Sequence, residues 1–306
     1  MPATKKLRRD ELKAFDLAAA GHDGVLSDES GQLVIKPCTH REVAFYETAS
    51  LHPEFAAWMP TFYGTLSLND PNETAAEKES DAPRDKPVHD RHTSIVLQNL
   101  TAGFVKPCVL DVKLGAQLWD ELAPLEKRKR LDAVSDATTS RALGMRVAGM
   151  RVWKGEEKDG YQVYDKFYGR TFTAENVIET LKEYLSAPIE DAERKVLAER
   201  FTKKAEEIKK VLEGQESRMY SASMLFVYEG DSDALKAALE EEKTRKPKTE
   251  EELDEEESGD EEEDIKKAEE LKLIDFAHAD WTPGLGADEN VLQGVRSMER
   301  LWKELA

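Results

Sequence analysis

The sequence has few cysteines and no long apolar segment. Its 306 residues include two cysteines, Cys38 and Cys108, and no His/Cys cluster at metal-ligand spacing, which excludes a disulfide scaffold and a zinc finger. No apolar run reaches the about 18 residues of a membrane span, and the N-terminal stretch lacks the apolar middle of a signal peptide. We therefore expect a protein of the nucleus and cytoplasm, with no transmembrane segment and with both cysteines packed in the core.

Basic residues are also in deficit. The chain has 44 Lys and Arg against 63 Asp and Glu, a net charge of −19, and we expect no direct nucleic-acid binding. Residues 240–270 hold 17 acidic and 6 basic residues and so carry −11 of that charge. Because almost nothing there is apolar, we predict a disordered acidic insertion, or alternatively an acidic interaction tail. The polar stretch 70–92 predicts a second mobile loop.

The rest of the sequence predicts an α+β protein of two lobes. Short strand-like runs and the helical stretch HREVAFYETASLH come first; later strand-like runs, LKLIDFAHA among them, alternate with helices at about 121–137, 174–213 and 288–306. Apolar spacing predicts that the last helix buries one face. A ligand is expected in the cleft between the lobes. The expected units are an N-terminal segment at 1–29, a small lobe and hinge at 30–106, and a larger lobe at 107–306.

The segment PCVLDVKLG places Asp111 and Lys113 two residues apart inside an apolar run. Because side chains alternate along a strand, both share one face with Val109, and the intervening apolar residues share the other. One face of this strand is predicted to pack against the core, whereas the other carries the two charges. Charges in an apolar interior are costly without partners, so this pair needs a partner that the strand alone does not identify.

Other polar residues interrupt apolar runs in an informative order. Lys36 ends a strand-like run of the first lobe, Ser221 and Ser223 begin a later run, and Asp275 and His278 lie in LKLIDFAHA. Taken singly, each has an ordinary explanation as a solvated strand end, a turn partner or a cap. Together, a strand lysine, an extended linker and a late I-D-F aspartate match the parts of phosphoryl-transfer enzymes, in which the lysine holds nucleotide phosphates and the aspartate binds magnesium.

A family resemblance makes this pattern specific. The segment PCVLDVKLG fits the P-x-x-x-D-x-K-x-G signature of the inositol polyphosphate kinase family, and the resemblance runs from about residue 30 to 306. Within the family, EKRKRLDAVSDATTSRALGMRVAGM is most similar to the multikinase branch, including its arginine-metabolism regulator type. Five further segments resemble landmarks of the family in the same order, namely ALGMRVAGMRVW, DKFYGR, SASMLFVYEG, IDFAHA and DENVLQG.

The resemblance implies ATP and Mg²⁺ as cofactors and a bilobal fold of the protein-kinase or ATP-grasp kind, with a small sheet in the first lobe. Lys36 would contact the ATP phosphates and be held by Glu42. Gln98 and Leu100 would offer backbone groups to adenine at the hinge. Asp111 would bind the ribose. These assignments define the expected nucleotide side of the site.

The resemblance also implies a reacting centre and a metal site. Lys113 would reach the transferred phosphate and the inositol ring, so Asp111 and Lys113 are the expected catalytic residues. Their charged face would then meet a polyanion, which removes the objection to burial. Asp275 would hold magnesium together with Ser223. Ala222 stands where the S-S-L-L motif of the family has its first serine, so a role that needs two hydroxyls is not expected.

An inositol polyphosphate needs a locally basic site. The helical segment 121–137 supplies Lys127 and Arg130, three residues apart and so on one face; the alternative is a solvated charged face. The resemblance adds Lys166 of DKFYGR and His278 of IDFAHA as further phosphate contacts. His278 is alternatively a hydrogen-bond partner that orients another residue of the site.

The length of the substrate segment favours several substrates over one. About two dozen residues separate the signature from LGMRVAGM, where the trisphosphate 3-kinase branch carries a larger helical insertion. We therefore expect a monomeric multikinase that converts inositol trisphosphate and tetrakisphosphate into higher inositol phosphates. The alternatives are a hexakisphosphate kinase and a mainly noncatalytic scaffold of a transcription-regulator complex. A scaffold need not keep all four charged residues, Lys36, Asp111, Lys113 and Asp275, so their presence favours catalysis.

Overall fold

Two five-stranded antiparallel sheets organise the part of the chain that the computed structural model describes, residues 12–15, 24–67, 93–158, 160–244 and 266–306. The first sheet has the order β1-β2-β3-β5-β4, with β1 Leu12–Ala14, β2 Leu26–Asp28, β3 Leu33–Pro37, β4 Phe62–Ser67 and β5 Thr93–Gln98. The second has the order β11-β10-β6-β7-β8, with β6 Pro107–Leu114, β7 Met145–Trp153, β8 Tyr161–Tyr164, β10 Ser223–Glu229 and β11 Glu269–Ile274. A separate ladder joins β9 Ser217–Met219 to β12 Ala279–Trp281. The structure is thus α+β with a small sheet in each lobe.

The helices lie mainly in the second lobe. Their bounds are α1 His40–Thr48, α2 Pro53–Ala56, α3 Leu125–Asp136, α4 Thr139–Leu143, α5 Lys166–Gly169, α6 Ile178–Tyr184, α7 Asp191–Gly214, α8 Ser232–Thr244 and α9 Glu289–Leu305. Of these, α1 follows β3 directly and begins at the N-cap Thr39, whose side chain accepts from the Glu42 N–H. This cap orients the helix so that the Glu42 carboxylate faces β3.

The alternation expected for β6 is confirmed. Leu110, Val112 and Leu114 are fully buried in the main core, whereas Val109 packs on the opposite face in a small cluster with Val227. Both cysteines are buried and free, as expected of packed residues, and burial raises the pKa of the Cys108 thiol to about 12.

The main core lies between the second sheet and the two longest helices. In α9 the apolar face that includes Val295, Met298 and Trp302 is buried, as predicted. Phe201 of α7 packs against this face, and the centroid of its ring lies 4.9 Å from that of the Trp302 ring. Aromatic burial on this scale contributes much of the stability of a domain core. The packed core thereby supports the strands of the second sheet, including β6, which carries Asp111 and Lys113.

Two elements that were predicted to be continuous are interrupted in the structure. The helix expected at 174–213 is two helices, α6 and α7, because Pro188 disfavours a helical residue before it and Glu190 with Glu193 forms a capping box that starts α7 anew. The strand expected through LKLIDFAHA ends at Ile274 and resumes in β12, since Asp275 takes a left-handed conformation with φ 68°.

Some expectations lie outside the described residues. The polar stretch 70–92 does, and so does most of the acidic segment predicted at about 240–270. The bounds of that segment were too wide, because α8 extends to Thr244 and β11 begins at Glu269. The limits set for the lobes at 1–29, 30–106 and 107–306 stay a prediction. Among the described residues, no helix is long and apolar enough to cross a membrane.

Candidate active site

A lysine of the first lobe is held by a glutamate of the adjoining helix. The Nζ atom of Lys36, on β3, lies 2.7 Å from Oε1 of Glu42 on α1, and the Glu42 side chain is 1% exposed. The same Nζ atom lies 2.8 Å from Oδ1 of Asp275 at the end of β11. One lysine is therefore the common partner of two carboxylates, one from each lobe.

The backbone turns at Asp275 so that its carboxylate meets a second lysine. Oδ2 of Asp275 lies 2.9 Å from Nζ of Lys113 on β6. Lys113 also donates to the Ser223 hydroxyl at 3.4 Å and to the Ser221 carbonyl at 3.3 Å. An aspartate tolerates the left-handed region better than most residues do, and strained backbone positions persist where the surrounding structure holds them. The turn thus places one carboxylate between two ammonium groups.

The charges at this centre stabilise one another. Burial alone would lower the pKa of Lys36, but the carboxylates of Asp275 and Glu42 outweigh it and hold that pKa above its usual value. Burial likewise opposes the charge of Lys113, and Asp275 followed by Asp111 holds the Lys113 pKa above its usual value. Both side chains are therefore cationic at neutral pH and suited to bind phosphate oxygens.

A cleft with apolar walls adjoins these charges. Its walls come from both lobes and include Val34, Leu97, Val109, Leu225 and Ile274. Asp111 lines the same cleft beside Val109, as the strand alternation predicts, and the segment Gln98 to Thr101 closes one end of it. A cleft of mainly apolar side chains with a few polar groups is typical of a small-molecule site.

Of the two expected hinge residues, Gln98 has a backbone N–H that is already hydrogen-bonded within the protein. Its N–H donates to the Thr61 carbonyl at 2.9 Å, so a contact from Gln98 to adenine would use its carbonyl oxygen. Leu100 is buried at the cleft wall. The expectation that these residues act through the backbone stays a prediction.

The last position of the signature requires a glycine for a steric reason. Gly115 has φ +97°, and a Cβ there would lie 2.6 Å from Nδ2 of Asn290. Asn290 belongs to DENVLQG and makes two hydrogen bonds with the backbone of Gln117, at 2.8 and 3.0 Å. Two sequence landmarks therefore contact each other, and Asn290 anchors the loop that follows β6.

A network that the sequence did not reveal connects His278 to the first lobe. The Nδ1–H of His278 donates to Oδ2 of Asp120 at 2.6 Å, and Nη1 of Arg41 lies 2.9 Å from the same oxygen. Arg41 also pairs with Asp280. These contacts hold the Asp120 pKa below its usual value against the effect of burial. His278 is thus oriented by Asp120, a partner that neither the family resemblance nor its distance of three residues from Asp275 indicated.

The predicted phosphate-binding cations lie on two short helices away from this centre. Lys127 and Arg130 are on α3, which is pinned to the end of the signature because the Ser135 hydroxyl donates to the Ala116 carbonyl at 2.6 Å. Lys166 is exposed at the start of α5. Among the described residues, no hydrogen bond or ion pair joins these three side chains to Lys36 or Lys113.

The structure therefore brings together six of the expected site residues: Lys36, Glu42, Asp111, Lys113, Ser223 and Asp275. It adds the buried hydroxyl of Tyr46 in the wall of the cleft, for which the sequence offered no signal because the residue reads as ordinary core. The contacts locate these side chains, and their roles toward nucleotide, metal and substrate stay predictions.

The donor set fits a metal bound mainly through a nucleotide. Among the described residues there is no group of three or more His, Cys, Asp or Glu side chains that could form a protein cage. Magnesium is usually held by one or two carboxylates together with phosphates and water. The Asp275 carboxylate and the Ser223 hydroxyl, which both contact Lys113, offer that smaller set.

Comparisons with known proteins agree with this geometry. The model of the family described as inositol polyphosphate kinase matches residues 94–303. The inositol polyphosphate multikinase of Saccharomyces cerevisiae is 33% identical, over 94% of this chain and 97% of that protein. The enzyme of the same name from Schizosaccharomyces pombe is 32% identical, over 94% of this chain and 96% of that protein.

A solved structure extends the likeness to the fold. The crystal structure of the inositol phosphate multikinase from S. cerevisiae, in complex with ADP and Mn²⁺, superimposes with a TM-score of 0.69 at 31% identity. The match covers 90% of this chain and 99% of that chain, and it identifies the fold as that of a kinase. Because the family model spans more than half of the sequence and the relatives align along nearly all of it, this chain belongs to the inositol polyphosphate kinase family.

Proposed function

We propose that this protein is an ATP-dependent multikinase that phosphorylates inositol trisphosphate and inositol tetrakisphosphate. The observation that carries the proposal is the Asp275 carboxylate held between Lys36 and Lys113, at 2.8 and 2.9 Å. Two cations from different lobes, joined by one carboxylate beside an apolar cleft, are the parts that phosphoryl transfer requires. The relatives named multikinase, which align along nearly the whole chain, favour this function over that of a hexakisphosphate kinase.

On the nucleotide side, Lys36 binds the phosphates of ATP and Glu42 keeps its ammonium group in place. Because Glu42 is buried, its ion pair with Lys36 is screened little by solvent. Asp111 accepts hydrogen bonds from the ribose hydroxyls at the floor of the cleft, and the carbonyl of Gln98 and the backbone of Leu100 meet the adenine edge. These contacts fix the nucleotide before the second substrate arrives.

Magnesium is the proposed metal, with Asp275 and Ser223 as its protein ligands. When bound it neutralises charge on the phosphates and lowers the barrier to transfer. Asp275 would hold the metal in place of part of its contact with Lys36 and Lys113. Lys36 and Lys113 would then have phosphate oxygens as their counter-charge.

Transfer itself depends most on Lys113. Its ammonium group stays protonated beside Asp275, where it stabilises charge on the phosphoryl group as the group leaves ATP and bonds to an inositol hydroxyl oxygen. Among the cations assigned to the inositol phosphate side, Lys113 is the one that also contacts Asp275, so it can act on both ATP and the inositol phosphate.

The remaining phosphates of the substrate are held away from the reacting centre. Lys127 and Arg130 on α3, Lys166 on α5 and His278 beside Asp120 are the proposed contacts. Arg130 and Lys166 are exposed and Lys127 is partly exposed, which is consistent with an open pocket that accepts several inositol phosphates. A monomeric state, residence in nucleus and cytoplasm, and a second role in a transcription-regulator complex are further proposals that rest on the family resemblance and the charge pattern alone.

The test is a direct assay of products. The purified chain is incubated with ATP, magnesium and a panel of inositol tris-, tetrakis-, pentakis- and hexakisphosphates, and the products are resolved by anion-exchange chromatography. We expect conversion of the tris- and tetrakisphosphates. Turnover of hexakisphosphate alone would assign the protein to the hexakisphosphate kinases, and no turnover of any member would leave the scaffold role.

A further inference from the structure

Strand β1 extends the face of the first sheet that covers the cleft. It pairs antiparallel with β2, and the Phe15 N–H donates to the Val25 carbonyl at 3.1 Å, so the pairing continues for one more residue. Opposed residues of an antiparallel pair project from the same face, which places Phe15 beside Val25. Ser27 is opposite Val34 of β3, and because side chains alternate along a strand, Val25 shares the face of Val34. Phe15, Val25 and Val34 accordingly all line the cleft.

The Phe15 side chain lies at the hinge end of this cleft. A second recess of the surface adjoins the cleft, and Phe15, Asn99 and Thr101 line both. Lys36 and Asp275, by contrast, line only the cleft. Phe15 is therefore close to the hinge segment, where the base of a nucleotide is expected, and away from the charges that are expected to meet its phosphates.

The ring of Phe15 is not part of the core. Phe15 is partly buried and belongs to neither apolar cluster of the described residues. Tyr46, which is also aromatic and lines the cleft, is buried, and its ring centroid lies 5.4 Å from those of Phe62 and Phe276. Within the described ranges no aromatic ring packs against Phe15. Phe15 thus presents to the cleft an aromatic surface that a flat ligand ring can cover.

We infer that Phe15 is a nucleotide-binding residue, whose ring packs against the adenine base of ATP at the hinge end of the cleft. The inference rests on the proposed function and deepens it, because it adds a contact from β1, which lies outside the residues 94–303 that the family model matches. Aromatic side chains stack on nucleobases through their π-faces. The contact involves the base alone, so it acts equally on ATP and ADP and does not touch the inositol phosphate.

Binding of ADP to wild type, Phe15→Ala and Tyr63→Ala, measured by calorimetry, tests this contact. Tyr63 is the matched control, because it is an exposed aromatic residue of β4 in the same sheet and does not line the cleft. We expect Phe15→Ala to weaken ADP binding by about tenfold or more, as the loss of one base-stacking ring does, and Tyr63→Ala to bind like wild type. In steady-state kinetics Phe15→Ala should raise the KM for ATP and leave that for inositol tetrakisphosphate unchanged.

Phe15→Trp guards against a loss of ADP binding that comes only from a disturbed β1. It keeps an aromatic ring in the cleft, so it should retain tight ADP binding and the melting temperature of wild type. Its added indole should also be quenched when ADP stacks on it, beyond the change that the five native tryptophans give in wild type. Tyr63→Trp, which adds the same fluorophore outside the cleft, should show no added quenching. ADP binding by Phe15→Ala within twofold of wild type, or no added quenching in Phe15→Trp, would overturn the inference.

These measurements separate the Phe15 contact from the proposed function. ADP binding is measured without any inositol phosphate, so weaker binding in Phe15→Ala supports the contact even if wild type phosphorylates no member of the substrate panel, in which case the kinase function is the part that fails. Turnover of inositol tetrakisphosphate by wild type, together with equal ADP binding by wild type and Phe15→Ala, overturns the contact and leaves the kinase function intact.

Discussion

Lys36 and Asp275, 239 positions apart in the chain, form an ion pair of 2.8 Å that joins the two lobes at the centre of the site. The other carboxylate oxygen of Asp275 contacts Lys113 at 2.9 Å. Asp275 therefore fixes the separation of the two lysines before any ligand binds. A site arranged in advance avoids part of the entropy that ordering would cost during reaction.

Asp275→Asn should abolish turnover and leave the fold intact. Asparagine tolerates the left-handed backbone of this position, so the turn after β11 is kept, but the neutral amide neither binds the metal as a carboxylate does nor balances Lys36 and Lys113. Turnover and melting temperature are measured together. Asp136→Asn, at an exposed carboxylate paired with Arg141, is the control. Near-normal kinetics in Asp275→Asn would remove this residue from the metal site.

Replacing Lys127 and Arg130 together with alanine should raise the KM for inositol phosphate and spare that for ATP. Both are proposed to hold phosphates that do not react, and such contacts act equally before and during transfer. The effect should shrink with added salt because both side chains are solvent-accessible. Steady-state kinetics at two ionic strengths measure it. Lys129→Ala, on the same helix and paired with Glu126, is the control. A raised KM for ATP instead would move α3 to the nucleotide side.

Asp120→Asn should destabilise the protein in a pH-dependent way. The pKa of Asp120 is lowered from its ordinary 3.8 through contacts with His278 and Arg41, so its ionised form stabilises the fold. That contribution is fully present above pH 3.8 and is lost as the pH falls through the lower pKa of the folded state.

Urea midpoints of wild type and Asp120→Asn between pH 3 and pH 7 measure this effect. The difference should narrow as the pH falls below about 4. A difference that stays constant down to pH 3 would mean that the carboxylate of Asp120 is not the group stabilised by Arg41 and His278.

Replacing residues 245–265 with a short Gly/Ser linker should leave melting temperature and catalytic rate nearly unchanged. The composition of this acidic segment predicts little apolar burial, and the described chain on either side of it is anchored by α8 and β11. Differential scanning fluorimetry and the standard kinase assay are sufficient. A large fall in melting temperature would show that the segment packs on the folded lobes.

Local patterns predicted the elements of the fold where one side of a strand or helix is buried. The sequence predicted the alternation around Asp111 and Lys113 and the apolar face of α9, because burial repeats with the period of the strand or helix. The break at Asp275 was not, since its cause is a tertiary contact to Lys36 and Lys113. The predicted helix 174–213 carried its own stop signals, Pro188 and the capping box of α7, which its apolar periodicity obscured.

The residues of the site were predictable, and so was the pair of Lys36 with Glu42, whereas the pairings between distant parts of the chain were not. Family resemblance supplied the charged residues, but a contact such as that between Asp120 and His278, 158 positions apart, leaves no local trace.

The most direct test of the account is a single-turnover experiment with γ-labelled ATP, magnesium and inositol tetrakisphosphate, using wild type and Lys113→Ala. In wild type we expect the label to pass from ATP to the inositol phosphate. In Lys113→Ala, transfer at saturating substrate should be slower by about a hundredfold or more, the loss typical of a donor that acts on the transition state. Label that appears only as inorganic phosphate in wild type, or transfer at an unchanged rate in Lys113→Ala, would contradict the account.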